Sequence, residues 1–517
     1  MPTRSRHRFE IDAPDAAPSR CDLNLGARLR DAQETGSGHT SSVDSPSFRR
    51  RLGSRAATVE FESRGTKKED ANVLGEKRLA EIAQRVLSES KAEQTEVMIT
   101  SNDSYLTRFA TNTIHQNVAE LDATIRVRVI TDQKTGVATG NDLTDAGLKK
   151  LVQTAERIAS FQQKNPDSSL LPKPLPIRPV DAYVDATAKC TPLDRAKGVE
   201  KILAPSRKNG LDAAGAFSTE EQEILIANSL GVSAYHRGTA ASIMTVIMGT
   251  DSSGYASDES IDVSCLDPAA IGKTAIDKAL QSRNPTSIEP GEYTVVLEED
   301  AVANMVLFLA FMGMSALAVQ EGRSFMNGKF GERITGNEIT IWDDGFDSRG
   351  LPQPFDFEGT PKQKVMLIER GIAKNVVYDS STAAKEPGKT STGHSLPAPN
   401  TQGPLPLNLF MASGKATKEE MIASTDRGIL VTRFHYANIL HPVKTVLTGM
   451  TRDGTFLIEK GKIVRPIKNL RFTQSLLEAF ANVDMLSSQS KLAKVFGIPT
   501  YVPAAKIRNF RFTGGTE

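Results

Sequence analysis

Cysteine is scarce in this chain: Cys21, Cys190 and Cys265 lie far apart in 517 residues, with no CxxC pair. Their spacing excludes a disulfide framework or a zinc ribbon and suits a reducing compartment, so a cytoplasmic location is expected. Long apolar runs are missing too. The longest, Met305–Met314, is about half of the ~20 residues a bilayer-spanning helix needs, and the N-terminus has no apolar signal stretch. No membrane passage is expected. Charge of one sign is also lacking, since 63 Lys and Arg against 62 Asp and Glu leave a net charge of +1. Such a chain has no global field to gather nucleic acid or an anionic membrane, and neither is expected as a partner. Nucleotide motifs are absent as well: Gly328–Gly331 lacks the Lys-Ser/Thr of a P-loop, and no GxGxxG follows a strand. Nor is there a Gly-x-Ser-x-Gly elbow.

What is present divides into three zones, since the length calls for two or more domains. Residues 1–72 are rich in Arg, Ser, Asp, Pro and Gly without sustained periodicity, and are expected to be a disordered extension. The Arg49–Arg51 triplet raises the possibility of nucleic-acid contact, but eleven acidic residues against thirteen basic ones within 1–70 favour a solvated tail. A natural start near Val73 is entertained; mass spectrometry of the native N-terminus decides it.

Residues 73–289 read as an N-terminal α/β domain. Leu79, Ile82, Ala83, Val86 and Leu87 have helical spacing, and Glu96–Thr100 follows as a strand candidate. Tyr105–Asn117 and Asp122–Thr131 read as two further strands, the second alternating Ala123, Ile125, Val127 and Val129 with Thr124, Arg126 and Arg128. Thr144 can cap a helix whose apolar stripe is Leu148, Leu151, Val152, Ala155, Ile158 and Ala159. Beyond a Pro-rich connection come a helix near Leu193–Lys208, strands Glu221–Ala227 and Val232–Thr250, and a helix over Pro268–Gln281. In the turn Asn228–Gly231, Asn and Gly can supply positive φ.

Residues 290–517 read as a mostly antiparallel, β-rich C-terminal domain. It opens with a strand at Tyr293–Leu297 and one long apolar helix over Ala301–Val319, whose apolar face is Val302, Met305, Val306, Leu309, Met312, Gly313 and Ala316. Short strands are predicted at Glu338–Ile341, Gln363–Ile368, Gly428–Phe434, Thr455–Glu459, Lys462–Ile467 and Lys506–Phe512. The overall class is α+β. Three constellations invite chemistry. His435 and His441 flank a predicted loop, Tyr436–Leu440, but their spacing fits no helical zinc pair. His394, in a Gly/Ser/Thr-rich loop, has the pKa range of an acid or base, against the blander reading of a water-satisfied surface histidine. Asp356 and Glu358 would share one side of an extended strand, as a carboxylate pair or cation site needs, or would simply bond neighbouring loops.

The residues TRFATNTIHQN (107–117), TIRVRVI (124–130), GVATGNDLT (136–144) and IANSLGV (226–232) carry a resemblance in the first half. In the second half it continues through QEGRSFMNGKFGERI (320–334), PFDFEGTP (354–361), LIERGI (367–372), STGHS (391–395) and LTGMTRDGTFLIEKGKIVRPIKNLRFTQS (447–475). Over about residues 75–515 the chain resembles the TldD/TldE family, also called PmbA. The resemblance implies an α/β domain followed by a β-rich one, in a dimer around a closed cavity. A TldD-type subunit of that family carries HExxxH and a later Cys as a zinc peptidase centre; a TldE-type partner lacks it.

Two imidazoles on one helix hold Zn²⁺ while the Glu acts as base toward the bound water. In the register implied by the resemblance, those positions fall on Leu307, Phe308 and Met312, and no Cys follows residue 265. The chain therefore resembles a TldE/PmbA-like member, with no catalytic residue and no metal of its own, zinc being expected in the partner. A TldD-like HExxxH-bearing paralogue in a heterodimer is the expected partner, or a second copy in a homodimer, with unfolded or small peptides as substrate, captured by a strand edge. Arg323, Phe325, Asp356, Glu358, His394 and Arg452 are the candidate substrate or interface contacts. Two alternatives stand: a stand-alone peptidase with a non-standard site drawn from Asp356, Glu358, His394, His435 or His441, and a non-proteolytic peptide-binding protein or modulator, as of DNA gyrase.

Overall fold

The computed structural model describes residues 74–165 and 170–515, so the expected disorder of 1–72 falls outside the described residues. The first body is built from two successive runs of the same pattern. One comprises α1 (Glu76–Glu89), β1 (Gln94–Ala110), β2 (Thr113–Thr131), β3 (Lys134–Gly140) and α2 (Asp145–Phe161). After the short α3 (Asp185–Ala188), the other comprises α4 (Pro192–Lys208), β4 (Asp212–Asn228), β5 (Ser233–Met248), β6 (Ser253–Ser260) and α5 (Pro268–Gln281). Their strands form one antiparallel six-stranded sheet in the order β3-β2-β1-β4-β5-β6, so the two runs meet at β1 and β4.

Alternation decides which side of this sheet the helices cover. Val97, Ile99, Ile125, Val127 and Val129 are fully buried beneath Leu79 and Ile82 of α1 and Leu148 and Val152 of α2. On the other half, Phe217, Ile243 and Ile247 meet Val199 and Ile202 of α4 and Ile271 and Ala275 of α5. The opposite face carries the intervening residues toward the second body.

That body begins with β7 (Gly291–Leu297), α6 (Glu299–Gly313) and α7 (Ala316–Gln320), then β8 (Ile341–Asp343), β9 (Val365–Glu369), β10 (Ile372–Ala373), α8 (Ser380–Ala384), β11 (Leu409–Met411) and α9 (Lys418–Ala423). It ends with β12 (Arg427–His441), β13 (Val446–Glu459), β14 (Lys462–Pro466), β15 (Leu470–Ser475), α10 (Leu476–Ala481), β16 (Val483–Val495) and β17 (Ile498–Gly515). Eleven strands form a mixed sheet, antiparallel except where β12 runs parallel to β7 and β11 parallel to β17. Because β7 also pairs with β17, the strands β7, β12, β13, β15 and β17 close into a ring. Phe434, Phe472, Phe510 and Phe512 stack in its aromatic core.

Several sequence expectations need correction. Tyr105–Asn117 is not one strand: Thr111 and Asn112 take positive φ and turn the chain from β1 into β2. The single helix expected over Ala301–Val319 ends at Gly313, because Met314 and Ala316 bond with the Val377 backbone on either side of Ser315. Its apolar residues are not confined to one face. Twelve of its fifteen residues, Ala303, Leu307 and Ala310 among them, are buried, so the helix is enclosed all round. At Asn228–Gly231 only Gly231 takes positive φ, while Asn228 closes the turn by accepting from Leu230 and Val232 through its side-chain oxygen. Tyr436–Leu440 is not a loop, since β12 runs through it with a bulge at Tyr436.

Leu307 is fully buried in the core of the second body. Leu307→Ala is expected to cost about 2–5 kcal/mol, as large-to-small core changes do, seen as a lowered midpoint in thermal or urea unfolding.

Candidate functional site

Where the free face of the first sheet meets loops of the second body, the chain encloses a cleft of about 410 Å³. Its floor is a set of cross-strand rows: Asp122, Asn102, Gln222 and Gly238 form one, and Thr100, Ile224 and His236 lie in the next. Leu351, Gln353, Phe357, Pro397, Leu407 and Asn408 close it from the second body.

Beside the cleft the two bodies are joined by buried charge. Arg128 of β2 reaches Glu96 on the neighbouring strand at 2.5 Å and Glu358 of the second body at 3.3 Å. Both carboxylates raise the guanidinium's pKa and keep it charged against the cost of burial. Glu358 also accepts from the Ser380 backbone at 3.3 Å. Asp356 accepts three backbone N–H groups, from Glu358, Thr360 and Ser395. Burial and the nearby Glu358 nonetheless push its carboxyl up to about 7. The turn that carries this pair needs Gly359, at φ 75, where a Cβ would come within 2.6 Å of Val232, just before β5 of the first body. A second seam sets Lys491 on the Ser257 hydroxyl at 3.0 Å and Lys494 on Glu259 at 2.6 Å.

A further buried network lies just behind. His394 Nε2 donates to Asp343 at 2.8 Å, and its Nδ1 meets the Thr392 hydroxyl at 2.9 Å. Burial, with Lys362 beside it, lowers the imidazole pKa despite Asp343. Burial alone would raise Asp343, but Lys362 and His394 outweigh it and hold the carboxyl low. Nε2 thus fixes the 391–395 loop to β8, and Nδ1 braces the loop on itself.

The expected contact residues therefore separate. Asp356, Glu358 and His394 come together, but all three are buried, and His394 is no water-satisfied surface histidine. Asp356 and Glu358 occupy a tight turn rather than an extended strand, with the Asp356 N–H donating to Thr360 and that of Gly359 to Asp356. Phe325 is 1% exposed in the core beside α6. Arg323 is partly exposed on Glu321, and Arg452 is exposed beside Asp453, each away from this cluster. His435 and His441 flank the bulged part of β12. Among the described residues no three His, Cys, Asp or Glu side chains gather as a metal site. Sequence reasoning missed Glu96, Arg128, His236, Asp343, Lys362 and Asn408. The charged alternation Arg126/Arg128 against the buried Ile125/Val127/Val129 was the available signal that this face is more than solvent surface.

Models of three consecutive family domains match the chain: PmbA/TldA metallopeptidase domain 1 over residues 95–159, the central domain over 184–283 and the C-terminal domain over 290–514. The chain belongs to the PmbA/TldD metallopeptidase family. An uncharacterised protein of Methanocaldococcus jannaschii is 27% identical over 396 residues, 74% of this chain and 89% of that protein. The metalloprotease TldD homologue of Haemophilus influenzae is 23% identical over 404 residues, 74% of this chain and 83% of that one. The fold matches the crystal structure of TldE from Thermococcus kodakarensis with a TM-score of 0.77 at 21% identity, covering 84% of this chain and 100% of that one.

Two expectations follow from the buried charges. Arg128→Met strands Glu96 and Glu358 and should cost about 3–5 kcal/mol, as breaking a buried pair does; adding Glu96→Gln and Glu358→Gln should recover part of the lost unfolding midpoint. Asp356 has its folded pKa raised above the usual 3.8, so its contribution is full below that value and is lost as pH rises through about 7. Between pH 4 and 7 the native chain should lose stability relative to Asp356→Asn, by at most ~1.4 kcal/mol per pH unit, and the difference should level off above pH 7, measured by urea unfolding from pH 4 to 8.

Proposed function

We propose that this chain is a TldE/PmbA-like subunit, without a metal site of its own, that pairs with a TldD-like metallopeptidase and helps to enclose and gate the cavity where small or unfolded peptides are cut. The observation that carries this reading is α6. In the register implied by the family resemblance, the zinc-binding and base positions are Leu307, Phe308 and Met312, at 0%, 6% and 1% exposure inside an apolar core. None offers the imidazole, carboxylate or thiolate that zinc sites use, Met312 bringing only a weak thioether, and Phe308 packs edge-on against Phe311 and Phe496. Zinc does not fit these residues, and no metal-dependent step is assigned to this chain.

Exposed apolar surface supports a partner. Along the outer end of the β12–β13 hairpin, Tyr436, Ile439, Leu440 and Val443 are 73%, 37%, 58% and 44% exposed. Apolar groups grouped in this way mark interaction surfaces.

The test is to purify the chain alone and with the HExxxH-bearing paralogue of the same organism, then measure metal content, mass in solution and peptide cleavage. A complex whose zinc and activity arrive only with the paralogue is expected. Stoichiometric zinc with cleavage by this chain alone overturns the reading. Within the complex, Ile439→Lys with Leu440→Lys should weaken association at least tenfold while leaving the thermal midpoint of the isolated chain nearly unchanged.

A further inference from the structure

The cleft between the two bodies is lined by groups that accept hydrogen bonds and have nothing to accept from. Asn408 is 4% exposed; its amide nitrogen donates to the Leu351 carbonyl at 2.5 Å, which fixes the amide orientation and leaves Oδ1 as an acceptor without a partner. The His236 ring bonds the backbone of Pro352, which has only a carbonyl to offer. The ring must therefore donate there, and its Nε2, closed off from solvent and unpartnered, presents a lone pair. Burial pushes this imidazole down to about 4, so it stays neutral at pH 7. Asn102 Oδ1 is a third buried acceptor of the lining without a partner.

The charge of the lining points the same way. Glu120, Asp122 and Glu220 contribute three carboxylates against one guanidinium, Arg126, which donates to Thr139 at 3.3 Å. A buried acceptor without a donor costs about 1–3 kcal/mol, and three in one cleft call for a ligand that brings several N–H groups together. An anion is disfavoured by the carboxylates. A divalent metal is disfavoured because no three metal-ligating side chains gather among the described residues. An ammonium group has three N–H donors and a positive charge, and Met98, Ile224, Phe357 and Leu407 offer apolar walls for the rest of such a molecule. The volume, about 410 Å³, is in the range of sites for small organic ligands.

We infer that this cleft is a binding site for an organic ammonium ion, the N-terminal ammonium of a short peptide, with Asn408 Oδ1, His236 Nε2 and the Asp122 carboxylate as its acceptors. The assignment rests on the proposed peptide-handling role only in taking the ammonium to be a peptide's; the lining shares no residue with α6.

Binding to the full chain, without a partner, tests it by calorimetry at pH 7 with triglycine, N-acetyltriglycine and N-acetyl-lysinamide. Triglycine should bind at least tenfold more tightly than its acetylated form, and more tightly than N-acetyl-lysinamide, which carries only a side-chain ammonium. His236→Leu and Asp122→Asn should each weaken triglycine at least fivefold, whereas His236→Gln, which keeps an acceptor, should retain most of the affinity. If His236→Leu fails to fold, Asp122→Asn on the partly exposed strand position carries the comparison. Equal binding of the free and acetylated peptides, preference for N-acetyl-lysinamide, or no binding of any probe at millimolar concentration overturns the inference. None of those results bears on whether the chain forms an active complex with a metallopeptidase, so the two readings fail separately.

Discussion

Burying a guanidinium is tolerable only when its charge is matched nearby, and Arg128 finds that match partly in its own sheet and partly in a residue 230 positions away. Glu96 is its cross-strand neighbour, so half of the arrangement is local and follows from sheet register. Glu358 arrives only when the second body docks. The ion triad therefore makes the docking of the two bodies conditional: apart, each would expose or strand a charge, and together they satisfy it. Gly359 lets the Glu358 turn approach the sheet, Asp356 organises that turn through three backbone N–H groups, and Ser395 ties it to the His394 loop. The cleft exists because these contacts hold the two surfaces close at one place and leave space beside it.

The enclosure of α6 reflects a different logic. A helix that faced a reaction cavity would keep a polar stripe, yet this one is buried on every side, between the β12 and β17 strands and the loops that follow it. Its side chains contribute dispersion and the exclusion of water, roles that demand apolar volume and nothing more.

Much of the fold was legible because periodicity is a local property. The helices α1, α2, α4 and α5 and the strands β4 and β5 stand out through apolar spacing and caps such as Thr144, which accepts from the Gly147 backbone. What could not be read was set by tertiary contact. The break at Gly313–Ser315 depends on Val377, far along the chain, and the β1–β2 turn at Thr111–Asn112 lacks glycine, so an ordinary strand pattern runs through it. The matching αβββα halves share geometry more than residues, and no repeat is visible in the sequence. The candidate site was half legible: Asp356, Glu358 and His394 do meet, but Arg128 and Asp343 read as ordinary strand residues, and nothing local reveals that His236 and Asn408 face one cleft from different bodies.

The closed ring of the second body has a bearing on how the protein is made. Strand β7, at residues 291–297, is covered on one side by β12 and on the other by β17, at residues 498–515. During synthesis α6 emerges directly after β7, yet β17, one of the strands that bury it, follows some two hundred residues later. Through that interval the most apolar helix of the described chain has nothing complete to pack against, and long-range pairing of this sort folds slowly and exposes sticky surface. The first body, whose contacts are mostly sequential, can form meanwhile. The nascent second body is then the part most open to aggregation until its last strand arrives.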